Sequence, residues 1–431
     1  DRGKGGAAVE RNIRITVPPK GKYIIETIQR AGFQAYAVGG CVRDSVLGRQ
    51  PQDWDITTSA SPMQVKALFP RTIDTGLAHG TVTVMLQGEG FEVTTYRIDG
   101  TYEDSRHPSQ VTFTSDLRED LRRRDLTINA MAYNDAEGLV DLFGGMADLE
   151  DGVVRCVGDP EERFGEDALR ILRAIRFSAQ LGYAIEEGTA AAIRKLAPTL
   201  SKISVERIQA ELTKLLISPH PEHLRMAYDM GVTKVVLPEF DKAMETPQNH
   251  PHHCYSVGEH TLHSLSFVEP DRVLRLVMLL HDIGKPAVLT EDEEGRSHFR
   301  GHAAMGAAMA EDILRRLKFD NDTIRMVRRL VQYHDYGNGV EIDIRLARRA
   351  MHRLGEECFP AIFAIKRADI CAQSEYLRRE KLDMLERWQS LYREILEKNQ
   401  CVSLKTLAVK GCDLLAAGWK PGKALGETLQ H

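Results

Sequence analysis

With 431 residues, 42% of them hydrophobic and 28% charged, the chain exceeds one hydrophobic core and has the composition of a water-soluble multidomain protein, with no apolar run long enough to span a bilayer. A net charge of −5 means that a polyanionic partner must be met by a local basic surface rather than by the whole field. Seven cysteines, an odd set without a Cys-x-x-Cys pair, argue against a disulfide framework and a thiolate zinc site and point to a reducing cytoplasm.

The opening residues, "DRGKGGAAVERNIRITVPP", carry charge and glycine but no apolar segment of a signal peptide, and residues 1–19 are expected to be a disordered leader. The chain opens on Asp rather than Met, as a fragment or processed chain would. "GKYIIETIQRAG" predicts a helix closed by Gly32, "AYAVGG" a short buried strand, and "CVRDSVLG" a helix entered directly from the glycines. A strand through "DWDITTS", a helix through "SPMQVKALFP" and the β-rich "TVTVML" and "FEVTTYR" complete an α/β head over residues 20–157. From Pro160 the period turns helical, in "EDALRILRAIRFSAQLGY", "GTAAAIRKLAPTL" and "SVERIQAELTKLLI", with Ser204 placed as an N-cap. This neck occupies residues 158–247. "METPQNHPHHCYS" breaks the pattern with Pro, Asn and clustered His; a His-rich helical region over 248–372 and a charged helical tail over 373–431 follow.

Asp53 and Asp55, at i and i+2 of a predicted strand, point to one face and repel, so the pair needs a cation. Gly39 and Gly40 between strand and helix let backbone N–H groups approach an anion, and Arg43 adds a guanidinium fork for phosphate oxygens. Carboxylates holding magnesium beside a triphosphate cradle are what two-metal phosphoryl transfer requires. Glu92, on a neighbouring predicted strand, offers a third carboxylate. A strand-end cap is the plain alternative for the Asp pair.

"VGGCVRD" with "DWDITTS", then "GLAHGTVTV", "RRRDLTINAMAYN", "GEDALRILRAIRFSAQLGY" and "ISVERIQAEL" together resemble the class II tRNA nucleotidyltransferases, the CCA-adding enzymes, and their relatives the bacterial poly(A) polymerases. The resemblance implies an α/β head of the polymerase-β nucleotidyltransferase type, followed by an all-α neck, and template-independent addition of CCA to tRNA from CTP and ATP. It implies that Asp53 and Asp55 bind catalytic Mg²⁺ while Gly40 and Arg43 contact the nucleotide. Arg124, Asp125 and Asn129 then fall in the segment that holds ribose and triphosphate, and Asp167, Arg170, Arg173 and Arg176 in the helix that recognises base and phosphates. Asp167 and Arg170, three apart, are expected on one helical face. A carboxylate accepts from an exocyclic amine and a guanidinium donates to a ring nitrogen, so the pair accepts cytosine and adenine while uracil and guanine invert the pattern. Residues 99–116 look like the loop such enzymes move between CTP and ATP; an ordinary surface loop is the alternative.

Downstream, "YSVGEHTLHSL", "LLHDIGKP", "FRGHAAMG", "VQYHDYG" and "KRADICAQS" resemble the HD phosphohydrolase superfamily. Its metal ligands fall on His260, His281, Asp282 and Asp369, with His302 and His334 for a second metal. Mixed His and Asp ligands suit Mg, Mn, Fe, Ni or Zn, so the metal's identity stays open. The resemblance also implies hydrolysis of terminal or cyclic phosphate esters, and a tail, "DLLAAGWKPGKALGETLQH", that ends sooner than in relatives. An A-only or poly(A) polymerase, and an HD phosphohydrolase whose head only binds RNA, remain the alternatives.

Overall fold

The computed structural model describes residues 9–10, 13–102, 108, 110–398 and 409–430. The chain divides into two compact units, residues 1–236 and 237–431.

The first unit is built on strands β1 (Val9–Glu10), β2 (Ala35–Val38), β3 (Asp55–Thr58), β4 (Thr72–Gly76), β5 (Thr81–Leu86), β6 (Glu89–Thr95), β9 (Met131–Asn134) and β10 (Gly138–Asp141), with a side hairpin β7 (Arg97–Asp99) and β8 (Val111–Phe113). They form an eight-stranded sheet in the order β1-β10-β9-β2-β3-β6-β5-β4. Only β3 and β6 run parallel; the other neighbours are antiparallel. This is the mixed sheet of a polymerase-β-type head. Helices α1 (Pro19–Arg30), α2 (Gly40–Val46), α3 (Pro62–Leu68), α4 (Leu117–Arg122) and α5 (Gly145–Asp151) belong to it, and α6 (Pro160–Glu166), α7 (Leu169–Leu181), α8 (Glu187–Leu196), α9 (Val205–Leu216), α10 (Leu224–Asp229) and α11 (Thr233–Val236) follow.

The periodicities explain the packing. In α1, Ile24, Ile25 and Ile28 fall on one stripe and are buried, each contributing about 1.5–3 kcal/mol by leaving water. β2 is buried along its whole length, as a central strand covered on both faces must be. Ile15 and Val17 are also buried, so the C-terminal part of the expected leader contributes to the core. Ser204 occupies the N-cap of α9 as predicted, with extended backbone, but its side chain makes no capping hydrogen bond. The part of the 99–116 loop at residues 103–107 and 109, and Cys401, lie outside the described residues. The other cysteines are unpaired.

The second unit is helical: α12 (Pro238–Glu245), α13 (Val257–Leu265), α14 (Arg272–Leu280), α15 (Lys285–Val288), α16 (His302–Arg316), α17 (Asn321–Tyr333), α18 (Ile344–Leu354), α19 (Phe359–Ala372), α20 (Arg378–Glu397), α21 (Gly411–Ala416) and α22 (Lys423–Gln430). α14 is the apolar centre, with Leu276 to Leu280 all buried, and it delivers His281 and Asp282 at its C-terminal end. No helix among the described residues is long and apolar enough to cross a membrane.

Candidate active sites

In the head, β2 and β3 pair with Val38 opposite Asp55, which sets the Gly39 turn beside the carboxylates. Gly39 has φ +82°, a left-handed conformation that side chains disfavour, and a Cβ there would lie 3.5 Å from an Arg124 guanidinium nitrogen. The glycine thus lets the backbone enter α2 directly beneath Arg124. The strand begins at Asp55, not Asp53: Asp53 lies two residues earlier, in the approach to β3, so the strict i, i+2 strand geometry expected from sequence does not hold. Both carboxylates are exposed, unlike Ile56 to Thr58 behind them.

Glu92 sits on β6, where Ile56 pairs with Val93, so it flanks Asp55 across the one parallel pair of the sheet. Although Asp55 opens to solvent, crowding by the protein raises its pKa; Glu92 raises it further, Arg124 opposes this, and Asp53 adds to it. Three acids around one point, two of them raising the pKa of Asp55, form a donor set that suits a hard divalent cation.

Opposite the acids stands a lattice of arginines. Arg43 donates to Asn129 Oδ1 and, from Nε, to Asp44 Oδ1 at 3.0 Å. Arg173 donates to Asp125 at 2.6 Å; burial alone would raise the Asp125 pKa, but Arg173 and Arg170 hold it well below the usual carboxylate range. Arg176 makes a two-pronged contact with Glu211 of α9, at 2.7 and 3.3 Å. Phe177, which sequence reasoning missed, lies under three of these cations: the guanidinium carbons of Arg176, Arg43 and Arg173 stand 3.9, 4.8 and 5.5 Å from its ring centre. Asp120 was also missed. Fully buried, it accepts from Thr57 of β3 at 2.9 Å and from Arg97 N and Arg123 Nε, each at 3.2 Å, tying the acid-bearing strand to the arginine segment. Its only sequence signal is an acid followed at i+3 and i+4 by Arg123 and Arg124.

Asp167 and Arg170 depart from expectation. Asp167 lies in the break between α6 and α7 with extended backbone, φ −145° and ψ 107°, so the two do not share one continuous helical face. The short carboxylate accepts from Leu169 N at 3.0 Å and caps the new helix, an option with which Asp competes against helix continuation. Arg207 of α9 grips Asp167 at 2.7 and 3.3 Å, while Arg170 pairs with Glu166. Both expected base-reading groups therefore hold protein partners in place of a base.

In the second unit, α13, α14, α16, α17 and α19 bring His260, His281, Asp282, Asp369, His302 and His334 together. The ligand atoms of His260, His281, Asp282 and Asp369 lie within 4.8 Å of one another, and so do those of Asp282, His302 and His334. His260 Nε2 is 2.8 Å from Asp369 Oδ1, which is 3.3 Å from His281 Nε2. Asp282 bridges the two groups: Oδ2 is 3.4 Å from His281 Nε2, and Oδ1 is 3.5 and 3.6 Å from His302 and His334 Nε2. All four histidines turn Nδ1 to a backbone carbonyl, of Ala372 at 3.3 Å, Met278 at 2.6 Å, Phe299 at 3.0 Å and Val331 at 2.6 Å. With Nδ1–H donating, each Nε2 keeps its lone pair toward the centre, the arrangement by which proteins orient metal-binding imidazoles.

Burial would raise the Asp282 pKa, but Lys285, 2.8 Å from Oδ2, and His281 hold it far below the usual range. Burial likewise opposes ionisation of Asp369, and His260 and His281 overcome it. Two buried carboxylates ringed by imidazole Nε2 atoms fit one or two divalent cations.

Family comparisons cover three stretches: the Poly A polymerase head domain over residues 35–155, the RNA and SrmB-binding site of polymerase A over 182–244, and tRNA nucleotidyltransferase domain 2 over 289–431. The chain is 55% identical over 200 residues to the CCA-adding enzyme of Lactiplantibacillus plantarum, covering 46% of this chain and 49% of that protein. It is 51% identical over 199 residues to that of Ligilactobacillus salivarius, again covering 46% and 49%. The chain thus spans about half the length of the curated relatives it matches. A crystal structure of the Bacillus stearothermophilus CCA-adding enzyme in complex with CTP is 28% identical, with a TM-score of 0.67, covering 96% of this chain and 92% of that one. The Thermotoga maritima CCA-adding enzyme complexed with tRNA shares the fold at 22% identity and TM-score 0.60, covering 96% and 90%. The resemblance to class II tRNA nucleotidyltransferases therefore stands in family profiles, in sequence and in fold.

Proposed function

We propose that the first unit adds C, C and A to the 3′ end of tRNA from CTP and ATP without a template, in the cytoplasm. The observation that carries this reading is the meeting of the Asp53, Asp55 and Glu92 carboxylates with the Arg43–Asn129 and Arg124 lattice across one pair of strands. The 3′-hydroxyl of the RNA attacks the α-phosphorus of the nucleotide, the bond to the bridging oxygen breaks, and pyrophosphate leaves. Asp53 and Asp55 hold Mg²⁺, which when bound supplies charge neutralisation at the attacking and leaving oxygens. Gly40 and Arg43 meet the triphosphate beside the N-terminus of α2, Arg124 and Asn129 orient ribose and phosphate, and Asp125 keeps Arg173 aimed. Asp167 and Arg170 read the base by exchanging Arg207 and Glu166 for its exocyclic amine and ring nitrogen, while Arg176 anchors α7 to α9.

Incubating a tRNA that lacks its CCA end with Mg²⁺, CTP and ATP, then sequencing the products, tests the reading. Ends in CCA support it, and runs of A alone would move the chain to the poly(A) side. Asp53→Ala and Asp55→Ala should each lower addition by at least 10³-fold, in line with losing electrostatic stabilisation at the reacting phosphate. Addition near the unmodified rate in both would displace the catalytic centre.

The histidine–aspartate cluster is read as an HD-type phosphohydrolase site, with His260, His281, Asp282 and Asp369 holding one divalent metal and His302 and His334 helping Asp282 hold a second. The metal, when bound, polarises a phosphate ester toward attack by water. Water adds to phosphorus, the P–O bond to the ribose oxygen breaks, and that oxygen takes up a proton. Removing a terminal phosphate in this way would return a damaged tRNA end to a hydroxyl that the first unit can extend.

A further inference from the structure

Beside the cluster lies a cavity of about 410 Å³ whose wall includes Asp369. Pockets of this size hold small organic ligands. Its floor is apolar, from Ile342, Leu385 and the indole of Trp388, which is only 3% exposed. Against that floor stand cations and amides: Lys366 Nζ donates to Asn338 Oδ1 at 2.8 Å, and Lys381 Nζ to Gln373 Oε1 at 2.6 Å. Gln373 in turn donates to Asp369 Oδ2 at 2.9 Å, the oxygen that faces away from His260 and His281. The wall of the cavity and the ligand set of the cluster are thus one hydrogen-bonded chain.

The cavity also carries an unmet donor. Trp388 Nε1 is buried with no hydrogen-bond partner among the described residues. A buried indole N–H normally finds an acceptor, and leaving one unmet forfeits about 1–3 kcal/mol. The atom itself is closed to solvent, although the indole is part of the cavity wall. Gly337 and Gly339, with φ +78° and +73°, turn the backbone along the same wall, and a Cβ at Gly337 would press within 3.4 Å of the indole. The turn therefore seats against the ring while leaving the cavity open.

We propose that this cavity is the nucleoside subsite of the histidine–aspartate site. It takes the ribose and base of one unpaired nucleotide whose phosphate lies at Asp369 and the histidines. The flat apolar floor suits a base, the Trp388 N–H an oxygen or ring nitrogen of the nucleoside, and Lys366 and Lys381 the negative end. A duplex end does not enter a recess of this size; a frayed or single-stranded 3′ nucleotide does. The proposal rests on reading the cluster as a phosphohydrolase site, and the test separates the two.

Two variants of the full-length, metal-loaded protein carry the test. Trp388→Phe keeps an aromatic ring but removes the N–H together with the fused five-membered ring that carries it. Met384→Arg changes a residue that lines the cavity and is 42% exposed, so it fills the space without touching the core. Calorimetric titration with adenosine, which has no phosphate, reads the subsite without turnover. Binding should weaken at least about three- to tenfold in Trp388→Phe, the worth of one neutral hydrogen bond to which the narrower ring adds, and also in Met384→Arg. In parallel, kcat/KM is measured for adenosine 3′-phosphate and for glycerol 2-phosphate, a phosphomonoester without a base. The nucleotide should be preferred by the unmodified protein, and both variants should erode that preference through KM while leaving glycerol 2-phosphate unchanged. Equal losses on both esters, or adenosine binding that ignores both substitutions, would overturn the subsite. Adenosine binding that responds to the substitutions, with neither ester hydrolysed, would support the nucleoside cavity and overturn the phosphohydrolase reading instead.

Discussion

Phe177 shows what a single apolar side chain does in a polar site. Its ring face, negative at the centre, gathers Arg43, Arg173 and Arg176, each contact contributing about 0.5–2 kcal/mol, and so limits the freedom of Arg43, which we assign to the triphosphate, and of the two arginines beside it. Phe177→Leu keeps the apolar packing and removes the quadrupole. Its expected effect is a rise in KM of about tenfold for CTP and ATP alike, with kcat little changed and Phe177→Tyr restoring the original value; steady-state kinetics with each nucleotide checks it. Lys366 shows the opposite case, a charge kept where stability argues against it. Burial pushes its pKa down from 10.5 to about 8, only partly offset by Asp335 and Asp369. At about 1.4 kcal/mol per tenfold in proton affinity, holding this ammonium in the folded state costs about 3 kcal/mol below pH 8. The unfolded chain binds the proton more tightly, so from this group stability rises with pH between about 8 and 10.5. Lys366→Met should raise stability at pH 7, by less than that amount because Asn338 loses its donor, and should flatten the pH dependence in that window. Urea melts at pH 7 and pH 10 read both effects.

Among the elements, helix ends do most of the positioning in the second unit. His281 follows α14, His302 opens α16 and His334 follows α17, so the cluster is assembled where helices stop and backbone carbonyls are free to receive Nδ1–H. Gly284 fixes one such meeting: a Cβ there would lie 2.5 Å from both Gly306 N and His302 O, so α15 and α16 touch backbone to backbone. Gly284→Ala must drive them apart. We expect a loss of about 1–3 kcal/mol, the usual range for overpacking, and a drop in bound metal, because Asp282 and His302 sit on either side of the contact; a denaturant melt and metal analysis of the purified variant report the two effects. The sequence made the ligands of this element legible, through the resemblance carried by "LLHDIGKP", but not the backbone contact at Gly284, which depends on α16, further along the chain. It made the α6–α7 break illegible: "GEDALRILRAIRF" reads as one amphipathic helix, and only the capping by Asp167 and the pull of Arg207 on it interrupt the period. The strand start at Asp55 and the platform role of Phe177 were hidden for a related reason. Both depend on partners distant in the chain, and local periodicity carries no information about those.

At the scale of the whole molecule, the two ligand sets fall on opposite sides of the division at residue 236. Asp53, Asp55 and Glu92 belong to a sheet with its own buried strands, whereas the histidines hang from helices packed around α14. Such separation predicts that the chemistries fail independently. His281→Ala combined with Asp282→Ala removes the central imidazole and the bridging carboxylate while leaving Lys285 without its closest anion, 2.8 Å away. That loss is local, and the buried Lys285 keeps Gln248 Oε1 as an acceptor at 2.8 Å. Phosphate release from a tRNA ending in a 3′- or 2′,3′-cyclic phosphate should fall to background, whereas CCA addition to a tRNA with a free 3′-hydroxyl should stay within about twofold of the unmodified chain, since sites with no shared partners add with little coupling. The combined assay is the sharper one. Offered a tRNA with a terminal phosphate plus CTP and ATP, the unmodified chain should clear and then extend the end, and the double variant should stop before the first C. Extension by the double variant at the unmodified rate would mean that the histidine–aspartate cluster plays no part in preparing the end. Failure of a folded double variant even on the free hydroxyl would mean that the units share one site after all.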